Sequence, residues 1–281
     1  MTIEEPGTEA MGMAIEEPGT EAMGMAIEEP GTEAMGMAIE EPEREAMGMA
    51  IEEPGTEAMG MAMGKSEREV MGMVINKIGW QHLEYGRNCQ DYGFEKKGLK
   101  VVCDGCSEGM HSEVGAKAFC HLLAEGMAVQ EAFDILLGIF GQTPASIRQY
   151  LCFTILMVQE TEAAFIVSYC GDGYILKVLA DGSLQTEELS DGKYPKYFAY
   201  RYIDRDSLSY YKDGVDFETR IFPKSLYRKV GIASDGLRFA GKAAEVETAF
   251  MSGLQHGREV WLKRLINKHQ TLFQDDITIV L

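Results

Sequence analysis

Five short segments place aspartate at or beside the end of an apolar stretch: Asn88-Cys89-Gln90-Asp91, Val101-Val102-Cys103-Asp104-Gly105, Cys170-Gly171-Asp172-Gly173, Ile232-Ala233-Ser234-Asp235-Gly236 and Gln274-Asp275-Asp276-Ile277-Thr278. An apolar strand that runs into Asp-Gly aims a carboxylate out of the end of a sheet. Glycine lets the backbone turn sharply there and brings its own carbonyl close to whatever the carboxylate binds. Several such ends side by side make an all-oxygen anionic site, which suits the hard divalent cations Mg²⁺ and Mn²⁺. Without a cation, the same carboxylates repel one another. A single Asp-Gly is an ordinary turn, and Asp181-Gly182, Asp191-Gly192 and Asp213-Gly214 read as exposed turns. Asp104 and Asp235 differ because β-like runs lead directly into them.

The elements that position these residues follow from periodicity. Val74–Trp80 reads as a strand, and Tyr92–Lys96 and Leu99–Cys103 as a hairpin around Lys97-Gly98. Ser112–Met127 and Val129–Phe140 read as helices with apolar residues on one face. Cys152–Gln159, Ala164–Cys170 and Tyr174–Leu179 are strand candidates, the last two joined by the turn signal Gly171-Asp172-Gly173. Phe217–Phe222 and Lys229–Ala233 are further strands. Ala243–His269 is mostly helical, broken near Gly253 and Gly257, and Ile277–Leu281 closes as a strand. Strands, two helices, many strands, helices and one strand favour an α+β sandwich with an antiparallel core over a parallel sheet. No phosphate-binding glycine loop of the P-loop or dinucleotide type is present.

The front of the chain is different in kind. Near-identical twelve-residue units, MAIEEPGTEAMG, begin at Met13, Met25, Met37 and Met49, with a similar copy at Met1 and a decayed one at Met61. Residues 1–72 hold 18 Glu against Arg44, Lys65 and Arg68, a net charge of −15 of the −19 in the whole chain. Pro and Gly in each unit break a continuous helix. High charge with low hydrophobicity does not offset chain entropy, so disorder is expected over 1–72. The tract is a solvated tail or an array of short linear motifs. Residues 73–281 carry only −4 and no Lys/Arg run, which argues against nucleic acid as a partner. No apolar run is long enough for a membrane helix, and the acidic start is not an export signal. Six cysteines without such a signal point to reduced thiols in the cytoplasm. Cys103-x-x-Cys106 has no second ligand pair to complete a zinc site.

Together the segments NCQD, VVCDG, CGDGY, ASDGL and QDDITIVL resemble, in order and spacing, the motifs of the protein phosphatase 2C family, the metal-dependent PPM-type phosphatases. The resemblance spans about Ile75 to Leu281. It implies two packed antiparallel sheets flanked by helix pairs, an α-β-β-α sandwich with metals at one end. By similarity Asp104 bridges two Mn²⁺ or Mg²⁺ ions, the Gly105 carbonyl ligates one, Asp235 and Asp275 ligate the other, Asp91 holds metal-bound water and Asp172 serves a third, weaker site. The implied activity is hydrolysis of phosphoserine or phosphothreonine in a protein substrate, opposing a kinase. The nucleophile is a metal-bridged hydroxide, so no cysteine need serve, and no Cys here is followed by Arg at the spacing of cysteine phosphatases.

The sequence departs from the family pattern in four places. Cys106 stands where some members carry a proton-donating His, and His111 lies five residues on. Gly-Asp-Ser-Arg is replaced by Gly171-Asp172-Gly173-Tyr174, without the Arg. Asp-Asn is replaced by Asp275-Asp276, with Asp275 taken as the ligand because Ile277-Thr278 then keep their offsets. Arg87 sits one residue from where an early phosphate-binding Arg falls. These changes leave two alternatives, a catalytically weak relative that binds phosphoprotein and an adaptor whose repeats matter most. The tyrosine-rich stretch Ser190–Asp216 falls where a flap over the site is common.

Overall fold

The computed structural model describes residues 72–190, 195–203 and 214–281. The repeats expected over 1–72 lie outside the described residues apart from Gly72, as do Asp191-Gly192, Asp213, Tyr194, Tyr210 and Tyr211. Ten strands form two antiparallel five-stranded sheets. One has the order β1-β10-β9-β6-β7, from β1 (Val74–Lys77), β10 (Ile277–Val280), β9 (Tyr227–Ala233), β6 (Gly173–Leu179) and β7 (Leu184–Leu189). The other runs β2-β3-β4-β5-β8, from β2 (Tyr92–Lys96), β3 (Leu99–Cys103), β4 (Ile155–Glu160), β5 (Ala164–Cys170) and β8 (Glu218–Pro223).

Period-two alternation sorts the strand residues into layers. Val102, Leu156, Val158, Ile175, Ile232 and Val280 pack between the sheets. Their neighbours point outward: Val101 and Ile155 meet α2 (Ser112–Ala124), α3 (Val129–Phe140) and α4 (Pro144–Tyr150). On the opposite face Leu176, Ala233 and Ile279 meet α5 (Ala244–Gln255) and α6 (Glu259–Lys268). The architecture is the expected α-β-β-α sandwich.

The structure changes several local readings. The first strand stops at Lys77, and Trp80–Glu84 is a short helix, α1. Its first turn is tied to the far end of the domain, since Trp80 N–H donates to Phe273 O at 2.8 Å and Gln81 N–H to Gln274 O at 3.0 Å. Gly171–Gly173 does not close a hairpin; β5 and β6 belong to different sheets, and the segment carries the chain from one to the other. Gly253 lies inside α5 against Trp261 and Leu262, and the break falls at Gly257. Helix α4 and strand β7 are additions. The hairpin turn holds, with φ of 51° at Lys97 and 74° at Gly98, the left-handed pair of a tight two-residue turn.

Candidate metal centre

Strand direction brings the aspartates to one end of the sandwich. Tyr92 pairs with Cys103, so Asp91, entering β2, lies beside Asp104, leaving β3. Tyr174 pairs with Ala233, which sets Asp172 at the start of β6 near Asp235 past the end of β9. Ile279 pairs with Ala233 as well, and Asp275 and Asp276 precede β10 at that end.

Asp91 is 2% exposed, and its Oδ2 accepts a hydrogen bond from Ser234 Oγ at 2.5 Å. Asp104 is fixed through its backbone: its N–H donates to Thr154 Oγ1 at 3.2 Å, and its carbonyl accepts from Thr154 N–H at 2.8 Å. Asp235 pairs with Arg238 Nη2 at 2.5 Å, and the same guanidinium lies 3.8 Å from Asp275.

The doublet Asp275-Asp276 divides its labour. Asp276 is buried and accepts from Gly79 N–H at 2.7 Å, Gln90 N–H at 2.5 Å and His82 Nδ1 at 2.9 Å. It is saturated by structural donors, which leaves Asp275 as the carboxylate of the pair that faces Arg238. Two glycines make the fit around this doublet possible. A Cβ at Gly79 would meet the Asp275 carbonyl carbon at 2.2 Å, and one at Gly236 would meet the Asp276 carbonyl oxygen.

The electrostatics are those of crowded anions. Burial, then the neighbouring charges of Asp91, Asp235, Asp275 and Asp172, push the Asp104 carboxyl well above the usual range. Burial and the Asp276 charge raise Asp91, against the hydrogen bonds of Ser234 and of Asp104. Asp235 is pushed up to about 6 by burial, with Arg238 opposing. Asp275 is raised by burial, against the hydrogen bond from Asp276 N–H. A proton shared among these groups relieves the repulsion, and so would a divalent cation. The donor set is oxygen only, and it fits Mg²⁺ or Mn²⁺ rather than a thiolate-seeking ion. Among the described residues, no three His, Cys, Asp or Glu side chains already converge in a metal-holding geometry.

Other expected residues fall elsewhere. His111 stacks on Tyr150 with ring centroids 5.5 Å apart, and its charged neighbour is Glu113, 3.9 Å away. Arg87 donates to Ser107 O at 2.9 Å. Both line a cleft that adjoins Gln90. Cys103 Sγ lies 3.6 Å from Cys120 Sγ in the core, while Cys106 follows the turn, so the C-x-x-C pair does not act as one. In the stretch expected as a flap, Phe198–Tyr202 is a 3₁₀ turn. Phe198 and Tyr202 pack on Phe133, with centroids 4.7 and 6.2 Å away. Sequence reasoning missed Ser234, His82 and Arg238. Arg238, three residues after Asp235, was open to a helical-spacing argument, whereas His82 and Ser234 meet their partners through tertiary structure alone.

No protein-family model matches the chain, and no curated protein matches it in sequence. Solved structures that it resembles are serine/threonine phosphatases. The catalytic domain of the phosphatase PstP in complex with two manganese ions is 13% identical, with a TM-score of 0.49 over 74% of this chain and 95% of that one. Stp1 from Staphylococcus aureus is 15% identical, with a TM-score of 0.44 over 80% and 98%. PppA from Pseudomonas aeruginosa is 16% identical, with a TM-score of 0.49 over 74% and 95%. The carboxylate cluster, and not these likenesses, carries the functional reading. No helix among the described residues is long and apolar enough to cross a membrane.

Proposed function

We propose that residues 73–281 form a metal-dependent serine/threonine phosphoprotein phosphatase domain of the PPM type, acting in the cytoplasm on a protein phosphorylated by a kinase. The observation that carries the reading is the crowding of Asp91, Asp235, Asp275 and Asp172 around Asp104, whose carboxyl their charges raise. So many buried carboxylates at one sheet end cost stability unless a cation offsets them.

In this reading Asp104 stands between two ions and the Gly105 carbonyl supports one of them. Asp235 and Asp275 hold the other. Asp91 orients water through a carboxylate that Ser234 fixes, and Asp172 serves a third, weaker position. Two such ions, when bound, acidify water and offset charge on a phosphoryl group. The chain's own task is to hold its oxygens in place with backbone and hydroxyl donors, as Thr154 does for Asp104. Arg87 and His111, on the adjoining cleft, are the candidates for holding phosphate and protonating the leaving oxygen.

One observation favours a second reading, a phosphoprotein-binding regulator with little turnover. Arg238 already pairs with Asp235 and approaches Asp275, where it competes with a cation. The test is hydrolysis of p-nitrophenyl phosphate and a phosphothreonine peptide by the full chain, in EDTA, Mg²⁺ or Mn²⁺, beside Asp104→Asn and Asp235→Asn. Turnover that needs the ion and collapses in both variants supports the phosphatase. Ion binding by calorimetry without turnover supports the regulator, and no ion binding sinks both.

A further inference from the structure

Beside the carboxylates, the segments around Arg87 and His111 line a cleft of about 210 Å³. Its inner wall is Gln90, the chain neighbour of Asp91. Gln90 is 3% exposed. Its amide nitrogen donates to Gly109 O and Ser112 Oγ, each at 2.9 Å. Those acceptors fix which way the amide faces, and Oε1 is left buried with no hydrogen-bond partner among the described residues. An unpaired buried acceptor costs stability and calls for a donor. Glu113, also buried, accepts from Asn88 Nδ2 at 3.2 Å.

The rim of the cleft is apolar. Met110, which lines it, is 75% exposed, and Tyr85, next to the lining residue Gly86, is 74% exposed. They are the most exposed large apolar side chains among the described residues. Aromatic and methionine side chains so displayed mark interaction surfaces more often than chance allows, and methionine adapts to varied partners. Arg87 and Glu113 offset each other's charge, so the cleft selects neither an acidic nor a basic flank.

We infer that this cleft takes the segment of the phosphoprotein next to the phosphorylated residue and favours a large apolar side chain there. The inference rests on the phosphatase reading. Asp91 follows Gln90 directly, so a residue held at the carboxylates leaves its chain neighbours beside the cleft. An extended flank offers a backbone N–H to Gln90 Oε1 and an apolar side chain to Tyr85 and Met110.

The test uses the full chain with Mn²⁺ and three substrates: p-nitrophenyl phosphate, a phosphothreonine peptide with leucines two to four residues either side, and its counterpart with serines there. The expected result is that kcat/KM favours the leucine peptide by about tenfold, the scale of burying one large apolar side chain. The Tyr85→Ser/Met110→Ser variant should lose that preference, measured as the ratio of the peptide values to the p-nitrophenyl phosphate value. Both side chains are exposed, so the variant keeps the fold. Equal use of the two peptides by the parent chain, or a preference that survives in the variant, overturns the docking cleft. Failure to hydrolyse p-nitrophenyl phosphate overturns the phosphatase reading itself, and the docking inference with it.

Discussion

Asp91 and Ser234, 143 residues apart, share a hydrogen bond of 2.5 Å, and the Ser234 hydroxyl in turn accepts from Thr278 N–H at 2.9 Å. One hydroxyl therefore joins the entry of β2, the exit of β9 and strand β10. Ser234→Ala removes a donor from a buried carboxylate and an acceptor from a buried N–H. The expected loss is about 1–3 kcal/mol in denaturant unfolding, with Mn²⁺ affinity weakened about 10-fold or more, as for other outer-shell partners.

Asp104 is the carboxylate most beset by like charges. Asp104→Asn removes that repulsion, so the metal-free variant should melt a few degrees higher than the parent. The parent, at about 100 times Kd of Mn²⁺, should gain about 2.7 kcal/mol; the variant should gain far less. Thermal melts in EDTA and in Mn²⁺ read both effects, and a variant that melts lower in EDTA contradicts the repulsion argument.

The pH dependence has a definite sign. A carboxyl raised by folding favours the folded state in its protonated form. Its contribution is complete below the unfolded value of about 3.9 and is lost as pH rises through the folded value, about 6 for Asp235. The metal-free protein should therefore lose stability between about pH 4 and 7 on account of these groups. Saturating Mn²⁺ should flatten the slope. Urea midpoints across that range, with and without the ion, decide the matter.

His82 and Asp276 form a buried pair at 2.9 Å, and the hydrogen bond from Asp276 raises His82 above its ordinary value, against burial. Its contribution is full below about pH 6.5 and fades as pH rises through the raised value. His82→Ala should cost about 3 kcal/mol at pH 6 and less at high pH. A cost that is flat with pH would mean packing, not charge, is what the pair supplies.

Arg238 should act as a competitor for the site. Arg238→Ala frees Asp235 and Asp275 and should tighten Mn²⁺ binding several-fold by calorimetry, while the metal-free protein loses a partner for two carboxylates. Weaker binding in the variant would instead place Arg238 among the groups that organise the site.

The sandwich was legible because alternation is a strong signal wherever a strand has two buried faces, as in Val101-Val102 and Ile232-Ala233. Strand β7 carries the polar run Gln185–Glu188 on an edge, so little alternation marks it. Helix α4 did announce itself: Thr143 accepts from Ser146 N–H and Pro144 begins the helix, a start signal by residue type alone. Sheet membership was not legible. Nothing in the pattern of β5 and β6 shows that Gly171–Gly173 crosses between layers. In the centre, aspartates that end apolar runs could be read directly. The donors that saturate Asp276 could not, because they come from residues 186 or more positions away.

The order β1-β10-β9 has a consequence for synthesis. Strand β1 is made first, yet it joins its sheet only through β10, the last strand of the chain. A growing chain on the ribosome therefore carries β1 without its partner for about 200 residues of elongation, or about 10–40 s at ordinary bacterial rates. Through that interval Asp275 does not yet exist, and Ser234 has no β10 to anchor it. The cluster closes only when the final segment arrives, so the nascent protein stays chemically silent until it is nearly whole.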